Sequence, residues 1–516
     1  MVGLHDLLHD AARRHPKHSA LTYADNTLTY QELWSAVHRT ACGLRALGID
    51  RGDRVAVYLD KRLETVISLF AAAAAGAVFV PINPALRATQ AAHIMRDCQA
   101  SILVTSQQRW QALSPSEQDQ LAVILVDQDP AHVVAPGPRP VTSWSDVSAA
   151  EPLPLPPMVE TDLASLLYTS GSTGSPKGVA LTHRNLVAGA QSVSSYLLNT
   201  HEDVILALLP LSFDAGFSQL STAFAVGAHV VLMNYLVPGD VPKACARHGV
   251  TGLTCVPPLW IQIANLTWPR QARAQLRYFA STGGRMPKQI LDQLRLTFPE
   301  ATPYLMYGLT EAFRSTYLDP AEIDRRPDSI GKAIPNAEIL VVAPDGSLCG
   351  PGQEGELVHR GPLVALGYWN DPERTAQRFR PLPGPVPQWR QPELAVWSGD
   401  TVTLDEQGFL YFVGRQDDMI KTSGYRVSPT EVEEAAYQTG LVQDAVALGI
   451  EDERLGQRIV LVVTPGADFD VSRFTTALRA TLPSFMVPSQ IEVRDCVPRS
   501  PNGKFDRVHL RAELTP

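Results

Sequence analysis

The chain has 516 residues, more than one simple core holds at roughly 100–200 residues per domain. Hydrophobic residues at 45% and charged residues at 19% fit a globular protein with a large buried core and exclude a disordered one. Lys+Arg 44 against Asp+Glu 53 leaves −9, which argues against a nucleic-acid or anionic-membrane surface.

The first eighteen residues are charged and amphipathic and lack the apolar run of a signal peptide. Thr29-Tyr-Gln-Glu32 is a capping box, and Leu33, Val37, Leu44 and Leu47 recur at helical spacing until Gly48, predicting a helix that ends there. Arg54–Leu59 reads as a strand. The longest apolar stretch, Val66 to Val80, is shorter than the ~20 residues of a membrane helix and meets Pro81. It predicts a buried helix turning into a buried strand. Helix and strand signals alternate in this way through the first third, which predicts a doubly wound α/β sheet. Cys42, Cys98, Cys245, Cys255, Cys349 and Cys496 show no CxxC or ligand-like spacing and read as reduced thiols of a cytoplasmic protein.

Two proline-rich stretches, Asp129 to Pro157 and Arg380 to Gln388, predict a subdomain connection and a surface loop. After Arg415 the texture changes. Ser428-Pro-Thr-Glu431 offers an N-cap, a first-turn proline and a capping-box Glu. Short strands at Ala445–Ile450 and Arg458–Thr464 and a helix from Val471 follow. The predicted fold class is α/β: a large multi-subdomain N-terminal domain with doubly wound sheets, residues 1–414, plus a small α+β C-terminal domain, residues 415–516.

The strongest chemical signal is Tyr168-Thr-Ser-Gly-Ser-Thr-Gly-Ser-Pro-Lys-Gly-Val179, directly after the apolar strand signal Leu163–Leu167. Glycines let backbone amides approach phosphate oxygens, hydroxyls donate to them, and Lys177 adds positive charge. The candidate phosphate ligands are Thr169, Ser170, Gly171, Ser172, Thr173, Gly174 and Lys177. A P-loop does not fit: counted from Gly171, the second glycine position falls on Pro176, and Gly178 follows the lysine. A flexible linker does not fit a segment bracketed by a strand and a helix.

This loop resembles the signature of the acyl-adenylate-forming superfamily, which includes acyl-CoA synthetases, peptide-synthetase adenylation domains and luciferases. The resemblance runs over essentially the whole chain, because later segments match in order: Tyr307-Gly-Leu-Thr-Glu311, Ser329–Asn336, Gly355–Gly361, Trp397-Ser-Gly-Asp400, Gly414–Asp418 and Pro501-Asn-Gly-Lys504. It implies ATP and Mg²⁺. Tyr307 would stack on adenine, Thr310 touch phosphate, Glu311 hold the metal, and Gly283 border the nucleotide. Asp400 and Arg415 would meet the ribose, Asp417 would be the hinge of a mobile small domain, and Lys504 would be the catalytic lysine. The physics agrees: a carboxylate attacking the α-phosphate of a polyanion needs positive charge around it, and Lys504 can bridge the two. A solvated tail charge is the plainer reading of that lysine.

Pro210–Leu220 bears on the acid. Its Phe213-Asp214 resembles amino-acid adenylation domains, whose Asp pairs with the substrate ammonium, as a carboxylate in an apolar pocket requires. Pairing of Asp214 with Arg314 is the alternative, and both stay open. The resemblance extends the pocket to Ala215, Ser218, Ala280, Thr282, Met306 and Ser315, small residues that suggest proline or another small or β-amino acid. Asn502–Arg507 is nearer the amino-acid adenylation pattern, whereas Lys421–Pro429 also occurs in CoA-forming relatives. Segments 307–317 and 327–336 resemble free-standing ligases, including prolyl–carrier-protein ligases and exosortase-associated acyl-CoA ligases. The expected acceptor is phosphopantetheine on a carrier protein supplied in trans, or free CoA. A γ-phosphate-transferring kinase and an inactive binding protein are the contrasting classes; Lys504 and Glu311 stand against the latter.

Overall fold

In a computed structural model, the described residues are 3–86, 88–118, 121–127, 141–169, 176–384, 388–389, 391–415, 420–422, 425–452, 455–482, 484, 486–501 and 503–515. They form three sheets. In the first, Val141–Ser143, Ala122–Leu125, Ile102–Thr105, Arg54–Tyr58, Val78–Pro81 and Leu163–Thr169 run parallel, Lys177–Thr182 adds antiparallel, and Gly367–Tyr368 pairs antiparallel with it at the edge. Its helices follow the expected signals. Tyr30–Ala46 opens with the Thr29–Glu32 capping box, Glu32 N–H donating to Thr29 Oγ1 at 3.3 Å and Thr29 N–H to Glu32 Oε2 at 2.8 Å. Leu63–Ala74 and Val78–Pro81 are the buried helix and strand.

The second sheet is a composite. Ser19–Tyr23, His229–Leu232, Val204–Ala207, Gly252–Cys255, Tyr278–Ser281 and Thr302–Tyr307 are parallel, and from Thr316–Leu318 onward every further strand as far as Glu338–Val342 pairs antiparallel. Doubly wound alternation therefore describes the large region as far as Tyr307, and most of residues 316–415 form an antiparallel extension joined edge-on to it. The third sheet uses only strands between Ile420 and Val493 and packs beneath the helices Pro429–Gln438 and Val471–Thr481. The first of these begins at the expected proline. Ser428 occupies the N-cap without a side-chain cap bond, its hydroxyl buried with no protein partner, so that half of the capping expectation fails.

The loop after Tyr168 needs a correction. It joins two antiparallel strands, with Thr169 opposite Lys177, and the helix His183–Tyr196 begins only after the second of them. Residues 177–182 alternate too briefly to announce a strand beside the Thr182–Asn185 capping box that follows. Among the described residues no helix is long and apolar enough to cross a membrane. Cys42, Cys98, Cys245 and Cys255 are buried free thiols.

Beside the parallel strands lies the helix Asp214–Val226, buried along nearly its whole length. Phe217 stacks on Phe79 at 5.0 Å and on Phe70 at 6.0 Å, which anchors the helix between the two sheets. Its first turn presses on the preceding loop: a Cβ on Gly216 would stand 1.7 Å from the Pro210 carbonyl oxygen. Gly216→Ala must push backbone against backbone and should cost about 3 kcal/mol, at the high end for overpacking. A lowered urea midpoint is expected; an unchanged one would show that the 210–216 loop yields freely.

Candidate active site

Lys177, Tyr368 and Glu311 form a compact charged cluster where the first sheet meets the second. The Lys177 ammonium donates to the Tyr368 hydroxyl at 2.8 Å and lies 3.3 Å from Glu311 Oε1, and the Tyr368 hydroxyl donates to the same carboxylate oxygen at 2.5 Å. The ammonium also sits over the Tyr368 ring, 4.1 Å from its centroid. Glu311 is 6% exposed. Burial alone would push its carboxyl up, but Lys177, Arg378 and the Tyr368 hydroxyl override it and hold it at about 2. Tyr368, which sequence reasoning did not single out, arrives because Gly367–Tyr368 pairs antiparallel with Val179 and Ala180, next to Lys177.

The strand Thr302–Tyr307 delivers Tyr307 to Asp400, whose buried carboxylate accepts from the phenol. Arg415 lies directly across the strand pair from Asp400. Ser170, Gly171, Ser172, Thr173, Gly174 and Asp417 fall outside the described residues, as does the Arg415 side chain. Thr169 precedes the first gap with its hydroxyl buried and without a protein partner. From the small domain, the Lys504 chain reaches Gly283: a Cβ placed on Gly283, whose φ is +80°, would be 3.8 Å from Lys504 Cε. The turn at Pro501 is held by Asn83, whose amide donates to the Pro501 carbonyl at 3.0 Å, and an Arg285–Glu434 ion pair ties the helix Pro429–Gln438 to the segment after Gly283. Burial nonetheless pushes the Glu434 carboxyl up to about 7 against the pull of Arg285.

Asp214 starts the buried helix with its carboxylate between two partners. Thr310 Oγ1 donates to it at 3.2 Å, and Arg314 Nη1 stands 3.7 Å from its other oxygen. Arg314, 2% exposed, also donates to Thr282 Oγ1 at 2.8 Å. Ala215, Ser218, Met306 and Arg314 line one small cavity. Ala280 and Ser315 are buried outside that lining: the Ala280 carbonyl accepts from the Trp260 indole, and the Ser315 hydroxyl is engaged by His359 at 2.9 Å. The sequence pattern gave no sign of Asn199 and Tyr278, which also border the cavity.

The residues fit a magnesium nucleotide. Glu311 is an ionised hard oxygen donor, Lys177 a cation, and the Thr169 hydroxyl an unpartnered polar atom beside the glycine loop. Among the described residues no cluster of three or more His, Cys, Asp or Glu could hold a metal unaided, so an ion here needs phosphate oxygens as co-ligands. The Glu311 charge also has a stability consequence. Its folded pKa lies below the unfolded value of 4.5, so its contribution is in place above that value and is lost as the pH falls toward about 2. The stability gap between wild type and Glu311→Gln, from urea unfolding, should be flat from pH 8 to about 5.5 and narrow below it. A gap that instead widens on acidification would contradict this assignment.

Comparison with known proteins identifies the family. The AMP-binding enzyme family model matches residues 8–369, and the model of the AMP-binding enzyme C-terminal domain matches residues 431–504. Feruloyl-CoA synthase of Amycolatopsis sp is 30% identical over 97% of this chain and 96% of its own length. Surfactin synthase subunit 2 of Bacillus subtilis is also 30% identical, over 98% of the chain, which spans 14% of that much longer protein. The structure of o-succinylbenzoate coenzyme A synthetase from Bacillus subtilis with ATP and magnesium ion superposes with a TM-score of 0.82 at 27% identity, covering 97% of this chain and 98% of that one. The chain thus belongs to the AMP-binding enzyme family and is an ATP-using, AMP-forming acyl-adenylate ligase.

Proposed function

We propose that this ligase activates a small carboxylic acid as its acyl-AMP, releases pyrophosphate, and passes the acyl group to a phosphopantetheine thiol. One observation supports this most: a run of contacts from Thr282 through Arg314, Asp214, Thr310 and Glu311 to Lys177, with the Lys504 chain beside Gly283 at its start. It sets the lysine of the small domain, an acid pocket and a polyphosphate-binding edge side by side.

In this reading Thr169 to Gly174 and Lys177 hold the phosphates, Tyr307 and Gly283 border adenine, and Asp400 and Arg415 hold the ribose. Magnesium supplies charge neutralisation at the phosphates from Glu311. Lys504 bridges the attacking carboxylate and the α-phosphate, which adds positioning and stabilises charge that develops only in the transition state. The small domain, from residue 415 on, then swings about Asp417 to admit the thiol, in a cytoplasmic setting suited to free cysteines.

The acid is first read as a small amino acid such as proline or a β-amino acid, destined for a carrier protein, because the Asp214 carboxylate is buried beside the cavity and fits an ammonium. A plain acid passed to CoA is the second reading. It is favoured by Arg314, which already offers Asp214 a counter-charge.

Lys504→Ala should lower ATP–pyrophosphate exchange at least a hundredfold while ATP affinity changes less than about threefold. Exchange at the wild-type rate would remove Lys504 from the first step. For Asp214→Ala, stranding a substrate ammonium costs roughly 3–5 kcal/mol, at least a hundredfold in kcat/KM for the best amino acid, with lost discrimination against its deamino analogue. An amino/deamino ratio that the substitution leaves unchanged selects the plain-acid reading, and product analysis with CoA or a loaded carrier identifies the acceptor.

A further inference from the structure

Two cations answer the buried Glu311 carboxylate, and the chemistry described so far uses one of them. Lys177 lies 3.3 Å from Glu311 Oε1, and after Lys177 it is Arg378 whose charge holds that carboxyl down. Arg378 closes the short helix Pro372–Arg378, which Asp371 caps by accepting from the Arg374 N–H at 3.1 Å. The strand Phe379–Pro381 follows at once and pairs antiparallel with Leu394, Ala395 and Val396. That pairing lays the arginine along the Trp397–Asp400 segment. A Cβ on Gly399, whose φ is +67°, would stand 2.7 Å from Arg378 Nη1, so the glycine leaves the guanidinium its place. The same charge acts on the Tyr368 hydroxyl. Arg378 thus sits between the candidate metal ligand, Glu311, and the segment that carries the candidate ribose ligand, Asp400.

The carboxylates around it are already engaged. Glu311 takes Lys177 and the Tyr368 hydroxyl, and Asp400 takes the Tyr307 phenol. Glu356 takes the Arg380 guanidinium and the Gly399 amide. Arg378 Nε is buried and, among the described residues, has no hydrogen-bond partner. A buried donor left unmade costs free energy, and two cations against one carboxylate leave a surplus of positive charge. A planar fork of donors with a charge to spare suits phosphate oxygens. We propose that Arg378 is a second phosphate-binding cation of this ligase, meeting the polyphosphate of MgATP between Glu311 and the Gly399–Asp400 segment. This rests on placing the nucleotide's phosphates at the Glu311 cluster and not on which acid or thiol reacts.

The test is equilibrium binding of MgATP and of adenosine at pH 8, where Glu311 stays ionised in the variants because Lys177 remains beside it. Arg378→Gln and Arg378→Met should weaken MgATP at least about tenfold, the loss of one charge-assisted contact, and leave adenosine within about threefold. MgATP held at wild-type strength overturns the proposal. So does an equal loss for both ligands, which makes Arg378 a prop for the Gly399–Asp400 segment. Arg378→Lys keeps the charge facing Glu311 and decides alone should the uncharged variants fail to fold. Without the planar fork it should weaken MgATP at least about threefold with adenosine unchanged, and any other pattern counts against the proposal. Lys177→Met is the reference. MgATP binding that survives substitution at both Lys177 and Arg378 removes the phosphates from this cluster, whereas a loss at Lys177 alone overturns only the role of Arg378.

Discussion

A carboxylate almost out of reach of water must be compensated at once, and Glu311 dictates much of what surrounds it. Its charge survives burial only because Lys177 and the Tyr368 hydroxyl reach one of its oxygens and Arg378 lies near. Each of those groups comes from a different part of the chain. The hairpin at Lys177 must pair with Gly367–Tyr368, and the 310–312 turn must lie against both. Fixing the charge therefore fixes the junction between the parallel sheets and the antiparallel extension. The same cation that neutralises Glu311 stands where a polyphosphate would need it, so one arrangement serves stability and chemistry.

Asp214 poses a second, milder version of the same problem. Its carboxylate begins a helix, where an acidic group meets the positive end of the dipole. Thr310 and Arg314 complete its surroundings from the segment that follows Tyr307. Because Thr310 precedes Glu311 directly, the surroundings of Asp214 and of Lys177 are tied by one short turn. On the proposed reading, a change beside Asp214 is felt at the reacting centre through a single peptide unit, which is how remote contacts can act on the chemical step.

Lys177, Tyr307, Glu311 and Asp400 were legible as candidates because each lies in a contiguous string that resembles a family motif, and the structure brings Lys177 to Glu311 and Tyr307 to Asp400. Tyr368 was not, because Gly-Tyr-Trp-Asn has no spacing that relates it to a phosphate, and only antiparallel pairing with residue 179 brings it in. Asn199 and Tyr278 are likewise 79 residues apart and meet through packing of a helix end on a strand start. The capping box at Thr29, the buried Val66–Val80 run and, in the small domain, the strands Val442–Asp452 and Gly456–Pro465 and the helices from Pro429 and Val471 were readable from local patterns, whereas Ile420–Thr422, Tyr425–Val427, Gln490–Val493 and Arg507–Leu514 were not. The hairpin after Tyr168 was misread because six strand residues run straight into a strong helix cap.

How the small domain meets the large one bears on the second half-reaction. Among the described residues, its hydrophobic clusters draw on residues from Ile420 onward, and the clusters of the large region on residues up to Tyr411. What joins them near the site is polar or grazing: Asn83 on Pro501, Arg285 on Glu434, and Lys504 against Gly283. Such contacts exchange with water at small net cost, whereas a shared apolar core would not. The Glu434 carboxyl, half-inclined to neutrality near pH 7, loosens one of them further. A seam of this kind is strong enough to position one side chain and weak enough to release it, which is what the proposed two-step use of Lys504 requires.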